Sequence, residues 1–274
     1  MEYSVYFPST LIFNVHALKM PNQTVLEESL IIDPELKVEE FTSGLSANRF
    51  ARIQINEPVD FKISYKAIVD VRHKLLDLSK PPETASVVPF DGNIIPFLFP
   101  SRYCQSDKLQ RLAYHEFGHI ENVYAKVLAI TEWINKNVEY LSGSSTSQTS
   151  AHDTVTERAG VCRDFAHLGI ALCRALTIPA RYFTAYAFKL NPPDFHACFE
   201  AYIDGNWIIF DATRLAPLNG LVKIATGRDA ADAAVASIFG SVVCNYINVE
   251  CDTLEPNFVP FYYDPSKLEG LSYQ

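Results

Sequence analysis

Nowhere in these 274 residues is there a CxxC pair, a run of lysine and arginine, a calcium-loop pattern or an apolar stretch long enough to cross a bilayer. Each absence removes a class. The six cysteines, Cys104, Cys162, Cys173, Cys198, Cys244 and Cys251, are too sparse for a disulfide-built scaffold of this length. Absent an export signal most should be reduced, and five are expected to be small core hydrophobes. A net charge of −9 without a basic run argues against broad phosphate-backbone contact, so nucleic acid is not an expected partner. The N-terminus has an acidic residue at position 2 and no small-residue cleavage site, so it lacks the form of a signal peptide. With no membrane span either, no membrane partner is expected, and a cytoplasmic location is the simplest expectation.

What is present reads as a soluble globular chain, 48% apolar and 20% charged, long enough for one large domain or two ordinary ones. Residues 1 to about 75 alternate as strands. Phe61, Ile63, Tyr65, Ala67 and Val69 share one face, and FARIQI before them is a second strand. An antiparallel sheet or sandwich follows from several short strands with one wet face. Pro81, Pro82, Pro89, Pro96 and Pro100 then mark an extended linker. Beyond it Ser106 is placed as the N-cap of a first helix, and Val123, Val127, Ile130, Ile134 and Val138 define a second. The loop SGSSTSQTS leads toward Cys162 and is expected to border the site. The aromatic, Pro-rich C-terminus either folds back on the body or stays partly loose.

Two constellations compete for the chemistry. His115, Glu116 and His119 form HEFGH, the zincin spacing in which two histidines one helical turn apart bind zinc and the glutamate acts as base. The longer metzincin extension is absent, since Asn122 and Ala125 stand where glycine and histidine belong, and Glu139 is a third ligand only if it lies on a facing helix. Gly118 is expected to end the helix between the two histidines and take them off a common face.

The second constellation is Cys162, His196 and Asp211. Cys162 follows Gly160-Val161 and opens a helix patterned by Phe165, Leu168, Leu172 and Leu176. There a thiolate faces unpaired N–H groups and the positive helix end, which makes Cys162 the most acidic thiol expected, and the same amides can hold an oxyanion. A cysteine at a helix start is otherwise an ordinary packed residue. Cys173 is that case, and about 16 Å of helical rise keeps it from pairing with Cys162. Asp204-Gly205 signals a type I′ hairpin in which Cys198 faces Asp211 and His196 faces Thr213, leaving His196 and Asp211 diagonal neighbours on one face. A one-residue slip would separate them. Together they supply a thiol nucleophile, its base and the group that orients the base.

GVCRDFAHLGIALCRALTIPARY followed by FHACFEAYIDGNWIIFDAT resembles the transglutaminase-like superfamily, in its bacterial branch of candidate cysteine proteases. The resemblance implies an α+β fold: a papain-related core, with the cysteine helix packed on an antiparallel sheet, preceded by a β-sandwich-like domain. Residues 1–100 would form the N-terminal domain with its linker, about 76–100, and residues 101–274 the core with C-terminal strands. It implies Cys162 as nucleophile, His196 as base and Asp211 as orienting acid, acting on a peptide, protein or amide substrate with no metal or other cofactor. Cys198 stands where the family usually has Trp after His-Ala, and FTAY replaces the common VSGY. The rival readings are a non-catalytic interaction module of this fold and the zinc enzyme. Purified protein is expected to carry no stoichiometric zinc. Zinc found at one equivalent, and lost when His115 and His119 are both replaced, would promote the metalloenzyme.

Overall fold

The structure is a computed structural model and describes residues 1–43, 46–79 and 91–273. Seven strands open the chain: β1 (Glu2–Val5), β2 (Ser9–Phe13), β3 (Gln23–Asp33), β4 (Val38–Thr42), β5 (Arg49–Ile55), β6 (Val59–Val71) and β7 (Lys74–Asp77). A single 3-10 turn (Ile95–Leu98) leads to α1 (Ser106–Phe117), α2 (Val123–Asn137), β8 (Glu139–Tyr140), α3 (Ala151–Glu157) and β9 (Ala159–Gly160). Then come α4 (Cys162–Ala175), β10 (Ala180–Ala187), β11 (His196–Ile203), β12 (Asn206–Phe210), β13 (Leu221–Gly227), α5 (Ala230–Ala233), β14 (Ala236–Phe239), β15 (Val242–Tyr246) and β16 (Glu269–Ser272).

Two four-stranded sheets, β15-β1-β6-β3 and β14-β2-β5-β4, enclose an N-terminal core built on Tyr3, Leu11, Phe13, Ile53, Phe61 and Ile63. Period-two alternation fills this core, since one face of each strand turns inward. The expected inward face of β6 holds only in part. Phe61 and Ile63 are buried, but Ala67 is exposed, because beyond Lys62 the strand pairs with β3 alone. One edge strand of each sheet, β14 and β15, comes from the far end of the chain. Pro81, Pro82 and Pro89, and with them much of the linker expected at 76–100, lie outside the described residues.

The second body is a sheet in the order β12-β11-β10-β13 with α4 lying on one face. The fold is therefore α+β, with antiparallel sheets and few helices. Leu168, Ile170 and Leu172 on α4 are fully buried, each contributing roughly 1.5–3 kcal/mol. On the other face Phe183, Cys198, Ile209 and Leu271 form a separate core. The C-terminus folds back: β16 pairs with β7, and Tyr273 is buried with its hydroxyl donating to Leu218 O at 2.8 Å.

Two local expectations are corrected. Ser106 is not an N-cap but the first helical residue, because its N–H is taken by Cys104 O at 2.9 Å in a turn that runs straight into α1. The polar loop does not lead straight into Cys162, because α3 stands between them; Asp153 accepts the Ser150 N–H at 2.9 Å and Arg158 ends the helix at φ 55°.

Helix α4 approaches the sheet closely at Gly169. A Cβ there would lie 2.5 Å from the Phe199 ring of β11. Helix propensity alone favours replacing a mid-helix glycine, by up to about 1 kcal/mol. Gly169→Val is nevertheless expected to destabilise the fold by about 1–3 kcal/mol through overpacking, read as a lower midpoint in urea. An unchanged or higher midpoint would contradict this packing.

Candidate active site

Cys162 is the first residue of α4, entered from an extended Val161 (ψ −178°). The Asp164 carboxylate turns back to accept the Val161 N–H at 2.9 Å, which satisfies a backbone donor and fixes the entry angle. Gly160 is required for this, since a Cβ there would lie 2.8 Å from Asp164 Cβ. Arg163 ties the polar loop down beside Cys162, donating to Ser145 Oγ and to Thr146 O, each at 2.6 Å. The loop therefore borders the site even though α3 separates the two in sequence.

His196 opens β11 and Asp211 follows the last residue of β12. The turn between the strands has φ 48° at Asp204 and 77° at Gly205, both left-handed as a type I′ turn requires. Ile203 pairs with Asn206 and Phe199 with Phe210, the expected register. It brings His196 Nε2 to 2.9 Å from Asp211 Oδ2, with the residues only 1% and 2% exposed. Thr213 completes the acid's surroundings, donating to Asp211 Oδ1 from its N–H at 2.9 Å and its Oγ1 at 2.7 Å. Asn135 of α2 holds the next carbonyl, donating to Ala212 O at 2.9 Å.

With Nε2 taken by Asp211, the buried Nδ1, which has no hydrogen-bond partner, is the ring nitrogen left for the Cys162 thiol. Burial disfavours a charged His196. The adjoining Cys198 thiol, the Asp211 carboxylate and the Cys162 thiol outweigh it and hold the imidazole well above its ordinary value. Asp211 is likewise opposed by burial, yet the His196 charge and the hydrogen bonds from His196 and Thr213 keep it below the usual carboxylate range. Burial pushes the thiols of Cys104 and Cys173 up, that of Cys198 to about 12 and that of Cys251 to about 11. Such an arrangement can present a thiolate beside an imidazolium at the positive end of a helix.

Cys198 joins the site through strand parity, two residues after His196 and so on the same face. One donor atom each from His196, Cys198 and Asp211 lies within 4.8 Å of the others, a set close enough to hold a metal ion. HEFGH is divided differently. α1 ends at Phe117, so His115 lies in its last turn and His119 beyond Gly118, both exposed. The helix that would aim both rings at one zinc ion stops between them. His167, by contrast, is locked in the core between the rings of Tyr103 and Tyr182, its centroid 5.0 and 5.1 Å from theirs. No motif announces the help from Thr213 and Asn135 beyond the short spacing of Asp-Ala-Thr.

Residues 1–93 match the bacterial transglutaminase N-terminal domain, and residues 111–212 match the transglutaminase-like superfamily. The chain belongs to the transglutaminase-like superfamily. A crystal structure of a candidate cysteine protease from Cytophaga hutchinsonii is 67% identical, covers 100% of this chain and 95% of that one, and superposes with a TM-score of 0.97. An uncharacterized protein of Mycobacterium leprae is 28% identical over 116 residues, 39% of this chain and 42% of that protein. One from Mycobacterium tuberculosis is 31% identical over 140 residues, 46% of this chain and 44% of that protein. The chain spans less than half the length of these curated relatives.

The sign of the His196 shift gives a test. With its value raised, His196 contributes its full stabilisation below about pH 6.5, the ordinary histidine value, while Asp211 stays ionised, and that contribution fades as pH rises through the folded value. In Asp211→Asn the imidazole is expected to titrate closer to 6.5 by NMR, and the loss of stability on the alkaline side to flatten. An unmoved His196 titration would show that Asp211 does not hold its charge.

Proposed function

We propose that the protein is a cysteine-dependent acyl-transfer enzyme that hydrolyses peptide or amide bonds. The observation that carries this reading is the buried His196–Asp211 hydrogen bond, which leaves Nδ1 free to serve a thiol placed at a helix N-terminus. In the proposed cycle the Cys162 thiolate attacks the amide carbonyl and forms a carbon–sulfur bond, its proton having passed to His196. The tetrahedral species collapses, the carbon–nitrogen bond breaks, and His196 returns the proton to the leaving amine. Water, deprotonated by His196, then cleaves the thioester and restores the thiol. Asp211 keeps the ring in the tautomer and orientation this exchange needs.

An amine in place of water would give cross-linking, and hydrolysis is favoured because no amine-binding site is evident in the sequence. The reading as an interaction-only module expects a lost triad residue, whereas all three positions are filled and Nε2 and Oδ2 are in contact.

Iodoacetamide at pH 7 is expected to modify Cys162 ahead of the buried Cys104, Cys173 and Cys198, as located by peptide mapping. His196→Ala should slow this reaction. Turnover across a panel of peptide and amide substrates should vanish in Cys162→Ala, and added glycine methyl ester should divert little of the acyl product from water. Native protein with Cys162 unlabelled and no turnover would favour the binding module. A predominantly amidated product would reassign the enzyme as a transamidase.

A further inference from the structure

We infer that His196, Cys198 and Asp211 form a binding site for a zinc ion, which switches the acyl-transfer chemistry off while it is bound. The switching rests on the acyl-transfer reading, whereas the site itself stands on geometry alone.

Strand pairing assembles the three donors. Cys198 follows His196 by two residues on β11, so both side chains leave the same face. One step beyond the Phe199–Phe210 pair, Cys198 stands opposite Asp211. One ligand atom from each residue lies within 4.8 Å of the other two, and all three residues are buried. Imidazole, thiolate and carboxylate together suit zinc, since calcium and magnesium favour oxygen ligands alone. Around a tetrahedral zinc, with bonds of about 2.0–2.3 Å, such donors stand about 3.4–3.6 Å apart. His196 Nε2 and Asp211 Oδ2 are already 2.9 Å apart, so this pair has to open by only about 0.5 Å. The Cys198 thiol has at most about 1.3 Å to close.

The surroundings fit the same ion. Thr213 donates to Asp211 Oδ1 from its N–H at 2.9 Å and its Oγ1 at 2.7 Å, which holds the carboxylate and leaves Oδ2 for the metal. A cavity of about 200 Å³ reaches Asp211. Its walls include Ala216 and Leu218, from the same core as Cys198, and the exposed Tyr262. By this route an ion comes to Asp211, together with the water that completes a four-coordinate shell.

Binding exchanges the ion for protons. Zinc takes lone pairs from His196 Nε2, Asp211 Oδ2 and the Cys198 sulfur, whose thiol proton leaves to solvent. The ring keeps a single proton on Nδ1, the nitrogen without a hydrogen-bond partner, and any second ring proton leaves as well. A ring fixed at one proton neither accepts the Cys162 proton nor returns one to the leaving amine, so the nucleophile has lost its base. Because the ion must open the His196–Asp211 bond and displace protons, the site fills only when zinc is supplied.

Uptake and effect are read separately. Chelator-treated Cys162→Ala protein, dialysed against zinc chloride and analysed for metal, should take up one equivalent. With cobalt(II) in place of zinc it should show a thiolate-to-metal band in the near ultraviolet. Adding Cys198→Ala, in protein confirmed as folded by circular dichroism, should abolish the band and weaken zinc binding by at least about 10²-fold, the upper end for a lost outer-shell partner. Cys198→Ser, closer in size to the native thiol, should abolish the band as well. With Cys162 in place, saturating zinc should lower Cys162-dependent hydrolysis of p-nitrophenyl acetate by roughly 10²-fold, the low end for a lost general base, and chelator should restore it. The same zinc should change the rate of Cys198→Ala, whatever that rate is, by less than about twofold on the same basis. Zinc uptake that survives the loss of Cys198, or that depends on Cys162 or on His115 and His119, would overturn the site. Undiminished hydrolysis by zinc-loaded protein would overturn the switch. If the metal-free protein shows no Cys162-dependent hydrolysis, the acyl-transfer reading falls and the switch with it, while the site is still judged on zinc uptake by Cys162→Ala.

Discussion

The site depends on one close contact, between Gly169 of α4 and the Phe199 ring of β11. Cys162 lies seven residues before Gly169, about 10 Å back along a helix that rises ~1.5 Å per residue. His196 lies three residues before Phe199, also about 10 Å back along a strand that rises ~3.4 Å per residue. Helix and strand therefore run about equal lengths from that shared contact back to the two residues. Because the helix can settle onto the sheet only where no Cβ intervenes, a missing side chain in the body of α4 governs the geometry at its tip.

A second constraint runs along the other face of β11. His196, Cys198 and Glu200 alternate on that face, and the last of them anchors a buried charge cluster. Glu200 bonds Lys223 of β13 and accepts from Arg181 Nε at 2.6 Å. Lys223 also sits over the rings of Phe183 and Tyr273, at 4.9 and 5.2 Å. A charge buried in this way is tolerated only while its partners stay in register. The cluster so opposes the slip of β11 that would separate His196 from Asp211. The sandwich joins at the same place, with Gln23 Nε2 donating to Lys223 O at 2.8 Å and Asn48 Nδ2 to Thr226 O, also at 2.8 Å. The C-terminal segment closes the far side. Tyr263 bonds both Glu132 and Arg214, and with Asp211 it lines a cavity of about 200 Å³.

Much of the site was legible because its determinants are local. A cysteine after Gly-Val at the head of an amphipathic pattern marks a helix N-terminus, and Asp-Gly between two apolar runs fixes a hairpin register. From that register alone His196 and Asp211 fall on one face, and Gly118 between His115 and His119 was enough to part the zincin pair. The strands of the sandwich followed from period-two alternation, although that pattern overstated the inward face at Ala67.

What the sequence left hidden is what depends on distant partners. Nothing near residues 236–246 says that those strands border sheets begun at residues 2 and 9, because strand pairing of that span is set by which edges stand open after folding. Asn135 and Thr213 carry no motif of their own, and α3 is too short for periodicity to reveal. The sequence by itself determined the elements and the faces they present, since helix starts, turn types and side-chain alternation are properties of a few neighbouring residues. Only the tertiary structure decided which faces meet: α4 settles on the sheet where Gly169 and Phe199, 30 positions apart, come into contact.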